Sequence, residues 1–378
     1  MVSRAEMSPF ASWWWTIDRW LLAGLAVLMV MGVVFTMAGS PPVAERLGLS
    51  TFHFVNRHLV YLCAAVALMI VTSFLSPRMV RRAALLLFVA GMAGVVLAIL
   101  YGVEIKGARR WIFGVQPSEF VKPAFVVLAA WAFSEGARRG DVPGTTFAVL
   151  LLPLTVGPFM LQPDFGQTVL IVLVWSGLFF MAGLHWLWVA GIGGFAVCGG
   201  LLAYKILPHV RVRIDKFLNT TDGPATNPGN SFQSDIAVES FVQGGWLGKG
   251  PGEGSLKRIL PDSHTDFIFA VTGEEFGILA SLTLMLVFAF IVLRGFLVAS
   301  RNEDSFCRFA TAGLVMLFGL QSSINMAVNL HLLPAKGMTL PFISYGGSSL
   351  LSLAIGMGFL IAVTRRRPRS EIFERVTP

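Results

Sequence analysis

The sequence predicts an all-α fold that crosses a membrane about ten times and carries one large extracytoplasmic loop. Three observations predict it. Of the 378 residues, 55% are hydrophobic and only 13% are charged, against roughly 25% charged in soluble domains. Apolar runs of about 17–25 residues recur along the chain, the length a helix needs to cross the hydrocarbon. Arginines gather in alternate short loops between those runs, the asymmetry that sets orientation in a bilayer.

The elements follow in chain order. The opening "FASWWWTIDRW" suits an interfacial helix, its tryptophans at the headgroup level. Residues 1–19 are therefore expected on the cytoplasmic side. Spanning helices are predicted at 20–39, 58–76, 83–101, 117–137, 145–162, 166–183 and 186–208. The large loop covers 209–264. Three further spans, 276–296, 308–328 and 345–364, precede a cytoplasmic tail at 365–378. The whole chain reads as a single domain. The first apolar run is long enough to span and lacks a small-residue cleavage site, so no cleavable signal peptide is expected. Cys63, Cys198 and Cys307 are far apart and show neither a disulfide framework nor metal spacing.

Charge fixes the orientation. Arg78, Arg81, Arg82, Arg138, Arg139, Arg301 and the tail "RRRPR" fall on one side, which the positive-inside rule makes the cytoplasm. In a soluble protein a net charge of +8 would suggest nucleic acid. Here the arginines sit between apolar runs as anchors, and no nucleic-acid partner is expected. Lys106, Arg109, Arg110, Lys122 and Lys336 fall on the opposite side, where topology does not call for cations. They are candidates for function.

Four outer segments carry the chemistry. In "KGARRWIFGVQPSEFVK", Pro117 fits the first turn of a helix, which puts Glu119 and Lys122 on one face. Arg109, Arg110 and Lys122 can then form a cationic cluster at the membrane surface, suited to a pyrophosphate. "LQPDFGQT" places Asp164 at a tight turn between spans, where helix capping is the simpler reading. "GGWLGKGPGEGSLKR" is glycine-rich but lacks the features of a P-loop, and reads as a flexible loop or a gate. It follows "SFQSDIAVESFVQGGW", a candidate short amphipathic helix. "LLPAKGMTLPFISYGGSS" brings Lys336, Ser344, Tyr345 and Ser348 to the membrane mouth, with Gly346 and Gly347 allowing close backbone approach. One "YGG" does not make an ion filter.

"LPDSHTDFIFAVTGEEFG" is the sharpest of the set. It lines up His264, Thr265, Asp266, Glu274 and Glu275 just before a span that can begin at Phe276. Ionisable residues at a membrane mouth are costly and usually functional. His264 reads as a local hydrogen-bond partner, because no second metal ligand stands at ligand spacing. Glu274 and Glu275 are expected to pair with cations or hydrogen-bond donors inside the bundle.

In this order and at these places, "GARRWI…QPSEFVK", "QPDFG", "LPDSHTDFIFAVTGEEFG" and "LLPAKGMTLPFISYGGSS" resemble the SEDS family (shape, elongation, division and sporulation) over nearly the whole chain. "AKG" and Gly273 stand where elongation-type members carry a threonine–glycine pair and an alanine, so the resemblance is to the division type. The resemblance implies a glycosyltransferase of the bacterial inner membrane, at the division septum, that polymerises lipid II on the outer face. It also implies a class B penicillin-binding transpeptidase and other divisome membrane proteins as partners. It makes Asp266 the essential carboxylate. Arg110, Glu119 and Lys122 match motif positions tied to activity, and Lys336, Ser344, Gly346 and Gly347 match the last outer loop.

That chemistry suits the residues. Asp266 is the expected general base. Arg110 and Lys122, helped by Lys336, are the expected clamp on the departing pyrophosphate. A divalent cation, magnesium or manganese, can share that task by binding through pyrophosphate and one carboxylate. Two other readings remain open from the residues: a flippase for lipid II, and a non-catalytic scaffold that recruits the transpeptidase.

Overall fold

A computed structural model describes residues 8–105, 108–138, 143–183, 186–206, 211, 215, 230–260, 262–334 and 337–365. Lys106, Arg139, Lys336 and most of the tail, all singled out above, lie outside the described residues. So does most of the turn-rich 219–230 stretch.

The ten expected spans are ten helices. We number the helices in chain order: α1 Pro9–Thr16, α2 Arg19–Gly39, α3 Pro41–Arg46, α4 His53–Ser73, α5 Pro77–Tyr101, α6 Pro117–Arg138, α7 Gly144–Leu161, α8 Phe165–Met181, α9 Trp186–Ile206, α10 Asn230–Gly244, α11 Ile268–Ser300, α12 Ser305–Asn329 and α13 Gly347–Thr364. Eight of these are long and apolar enough to cross a membrane. The apolar helices α8, of 17 residues, and α9, of 21, fill the two remaining runs. The chain is a polytopic, all-α integral membrane protein. Among the described residues the only strands form a two-stranded antiparallel hairpin, β1 Val103–Ile105 and β2 Ala108–Trp111. No apolar run announces it, and the short helix α3 was equally silent.

Local chemistry starts several helices at the arginine-rich end. Asp18 accepts from the N–H groups of Trp20 and Leu21 at 3.1 and 3.0 Å, capping α2. Ser76 accepts from Met79 N–H at the start of α5, with Pro77 in the first turn. Asp304 caps α12 through Cys307 N–H at 2.9 Å. Asp18 also takes the Arg294 guanidinium with both oxygens, tying the α1–α2 corner to α11.

The bundle has a centre and a sheath. In α13, α12 and α6, 83%, 72% and 67% of the best apolar window is buried; in α4 and α7 the figure is 22%. The central helices hold the polar side chains, because only there can protein groups replace the water that a bilayer withholds. α13 packs on α4 and α6, and α12 packs on α6, α8 and α11.

α11 is broken. Gly277 has φ +79, and the chain turns there before the helix resumes. The free N–H groups of Ile278 and Leu279 are taken by the carbonyls of Gly245 and Trp246 at 2.9 and 3.2 Å. A side chain at Gly277 would also collide with the backbone of Trp246 and Gly248. Ile268–Phe276 is therefore a short helix set off by the break, and the long apolar run follows it.

Candidate active site

Opposite the arginine-rich loops, the bundle opens into a cavity of about 780 Å³. Four parts of the chain line it: Arg57 and Tyr61 of α4, the hairpin and its sequel from Ala108 to Phe120, the turn with Asp262, Thr265 and Asp266, and the Gly337–Leu351 stretch. Of the expected residues, Asp266, Arg110, Glu119, Thr265, Gly346 and Gly347 all line it.

Asp266 sits at the end of a tight turn, two residues before α11. Its N–H donates to Asp262 O at 3.1 Å. Its own carbonyl accepts from the side chains of Asn325 and Asn329, at 2.9 and 3.0 Å. Half-buried, it reaches the cavity beside Gly337, which stands 3.6 Å from its Oδ2 as judged from where a Cβ would lie.

Arg110 is aimed by the "QPDFG" turn. Its Nε and Nη2 donate to the carbonyls of Gln162 and Pro163, at 3.1 and 2.5 Å, and Nη1 lies 3.7 Å from Asp164 Oδ1. Asp164 thus departs from the capping reading. It occupies the N-cap position of α8 without a capping hydrogen bond. Its carboxylate is buried against Arg110 and Gln116 instead. Burial pushes its pKa up, and the Arg110 charge opposes that shift.

The expected surface cluster of Arg109, Arg110 and Lys122 does not form. Arg109 and Arg110 are neighbours on a strand and so point to opposite sides. Arg109 is exposed and pairs with Glu104 at 3.5 Å. Lys122, only 2% exposed, lies inside the bundle. Its ammonium meets Glu119 at 2.8 Å and Gln321 at 3.0 Å, while Gln167 donates to the other Glu119 oxygen at 2.7 Å. A lysine at this depth is tolerable only when paired. Glu119 faces the cavity with Lys122 behind it.

The last outer loop divides similarly. Gly347 presses against the Tyr61 ring, whose carbons stand 2.8–3.0 Å from where a Cβ would be, so a larger residue would force the ring aside. Ser344 is buried and does not line the cavity. It accepts from Leu340 N–H at 2.8 Å and donates to Thr265 O. Tyr345 N–H donates to His264 O at 2.9 Å, so this loop straps the Asp266 turn. The His264 ring lies 4.6 Å from Phe54 and 5.5 Å from Tyr345. Its expected hydrogen bond is absent at Nδ1, which has no partner among the described residues. Burial pushes its pKa down to about 4, so it stands neutral.

Glu274 and Glu275 are fully buried, as expected of them. Glu274 accepts from the N–H groups of Ser255, Leu256 and Lys257, at 2.7, 2.9 and 3.2 Å. Glu275 takes the Lys257 ammonium and, at 3.0 Å, Gly252 N–H. The glycine-rich loop is thereby pinned to the short helix of α11. Its glycines serve close packing: a side chain at Gly248 would overlap the Glu275 carbonyl.

A family model described as cell cycle protein, for FtsW, RodA and SpoVE, matches residues 19–369. The chain belongs to the FtsW/RodA/SpoVE family. A family member from Caulobacter vibrioides, named probable peptidoglycan glycosyltransferase FtsW, is 43% identical over 371 residues, 97% of this chain and 94% of that one. A Coxiella burnetii protein of the same name is 32% identical over 362 residues, 92% of this chain and 96% of that one. Among solved structures, one described as "structural coordination of polymerization and crosslinking by a peptidoglycan synthase complex" matches with a TM-score of 0.75 at 26% identity, covering 92% of this chain and 97% of that one. The rod shape determining protein RodA of Thermus thermophilus matches with a TM-score of 0.65 at 26% identity, covering 92% and 96%.

Family membership agrees with the motifs but leaves several cavity residues unannounced. Arg57, Tyr61, Gln116, Asp262 and Thr339 line the cavity and were not singled out. Arg57 carried a signal, a cation at the lip of an apolar run. Tyr61 looked like any aromatic in a span. Among the described residues, no three His, Cys, Asp or Glu side chains converge on a metal position. A magnesium or manganese ion would thus need oxygens of the substrate beside Asp266, Glu119 or Asp262.

Proposed function

We propose that this chain is a division-type peptidoglycan glycosyltransferase that polymerises lipid II into β-1,4 glycan strands and releases undecaprenyl pyrophosphate. The observation that carries the reading is one cavity in which Asp266 shares walls with Arg110 and Glu119. Likeness to relatives named peptidoglycan glycosyltransferase supports it.

The geometry suggests a division of labour. Asp266 takes the proton from the acceptor 4-hydroxyl. The freed oxygen attacks the anomeric carbon of the donor sugar, and the C–O bond to pyrophosphate breaks with its electron pair on the leaving group. An α-linked donor thereby yields a β bond. Arg110, held from behind by two carbonyls, faces the developing pyrophosphate charge without needing to reorganise. Lys122 pairs with Glu119 and holds it in place rather than touching the phosphates. When present, a divalent cation would add charge stabilisation at the same pyrophosphate. The lipid tails would leave the cavity between helices of the sheath.

The cavity lies at the end of the bundle opposite Arg78, Arg81 and Arg301, which supports an extracytoplasmic active site in the inner membrane. Septal location follows the FtsW-type likeness. The described solved complex, which joins polymerization and crosslinking, supports a transpeptidase partner. The test is polymerisation of labelled lipid II by purified protein with its class B transpeptidase. Long glycan is the expected product, and its absence under conditions where the complex is intact would overturn the reading. Orientation is checked by single cysteines within 225–230, which should react with a membrane-impermeant thiol reagent in intact cells whose outer membrane has been permeabilised. Labelling only after lysis would reverse the topology.

A further inference from the structure

Two asparagines deep in α12, Asn325 and Asn329, stand one helical turn apart and face the Asp266 turn. Both are buried, with 2% and 0% exposure. No motif pointed to them. Amides are expensive in a membrane bundle unless fully hydrogen-bonded, and these two are.

Their bonds reach the Asp266 turn and the elements on either side of it, and Asn329 Nδ2 also donates to Asn325 O at 2.9 Å. Each Nδ2 donates to the Asp266 carbonyl, at 2.9 and 3.0 Å. Asn325 Nδ2 also donates to Met338 O at 2.5 Å, in the loop that brings Gly337 to the Asp266 carboxylate. Asn329 Oδ1 accepts from Ala270 N–H at 3.1 Å. That N–H belongs to the first turn of α11, where the N-cap residue Phe267 supplies no side-chain cap. Asn329 therefore caps α11 from another helix. Together the pair fixes the helix start, the Asp266 peptide and the opposite wall of the cavity to one rigid rod.

We infer that Asn325 and Asn329 are positioning residues for the reaction: they set the place of the Asp266 carboxylate by gripping its carbonyl. The inference rests on Asp266 acting as base. Neither amide touches substrate; both act through Asp266. A carboxylate displaced by about 1 Å loses about 10²-fold in rate, so the effect falls on kcat and spares substrate binding.

The test uses Asn329→Asp and Asn325→Ala in the full chain with its transpeptidase. Asn329→Asp is nearly isosteric and keeps an acceptor for Ala270 N–H, so α11 stays capped. As the ion it cannot donate to the Asp266 carbonyl. A buried acid that holds its proton can, so kcat is followed as pH is raised and the loss is read on the alkaline side. The expected result is a kcat lower by about 10–10²-fold, with KM for lipid II and partner binding close to the parent. The melting temperature falls because a buried donor is lost, so rates are compared on protein shown to be folded. Each variant is also combined with Asp266→Asn. A residue that acts through Asp266 adds nothing once the base is gone, whereas a merely structural one multiplies its cost. Full activity of folded Asn329→Asp on the alkaline side, or multiplicative losses in the double variants, would overturn the inference. If Asn325→Ala does not fold, Asn329→Asp alone decides. Were Asp266→Asn itself near full activity, the base assignment would fail, a result distinct from either of these.

Discussion

Asp266 and the Glu274–Glu275 pair lie on the same stretch, about two helical turns apart, and meet opposite fates. Asp266 is half-buried and lines the cavity. The two glutamates are sealed inside, one against three backbone N–H groups and the other against Lys257. A carboxylate whose lone pairs are all consumed by the protein has none left for a substrate. The difference teaches that charge at a membrane mouth has two uses, and that partners rather than position tell them apart. Arg110 and Lys122 repeat the contrast among cations. The first lines the cavity, and the second is consumed by Glu119 and Gln321.

The largest effect should come from Asp266→Asn. It removes basicity and keeps shape, so polymerisation should fall by about 10²–10⁴-fold with unfolding temperature unchanged. Activity within about tenfold of the parent would end the base role and with it the contrast.

Lys257→Ala should behave in the opposite way. It strands the Glu275 carboxylate, and breaking a buried pair costs about 3–5 kcal/mol. Thermal unfolding in detergent should show the loss, while the surviving folded protein keeps its specific activity. A stable but inactive Lys257→Ala would move this pair from scaffold to chemistry.

The smallest effect sharpens the cation comparison. Arg110→Lys keeps the charge but loses the fork that grips Gln162 and Pro163, and should slow polymerisation about tenfold. A rate equal to the parent would make Arg110 a simple point charge.

Much of the site was legible because its residue types are out of place in hydrocarbon. Asp266, Arg110 and Glu119 stood out for that reason, and the cavity contains them all. Lys122 misled, because spacing along a helix does not say whether a face meets solvent or the bundle. Asn325 and Asn329 were missed since a neutral amide barely interrupts an apolar run. Ser344 was expected at the membrane mouth, whereas it is buried and its hydroxyl is spent on Leu340 and Thr265.

By itself the sequence determined the ten spans and the family, and supplied the arginine asymmetry on which the proposed orientation rests. These depend on run length, arginine placement and ordered motifs, all local properties of the chain. Only the tertiary structure decided which helices are central, that α11 breaks at Gly277 around the glycine-rich loop, and which carboxylate lines the cavity. Those outcomes depend on hydrogen bonds between residues far apart in sequence, such as Asn325 to Asp266 and Lys257 to Glu275. A bilayer core offers no water to substitute for them, so where each polar group finds its partner fixes what it can do.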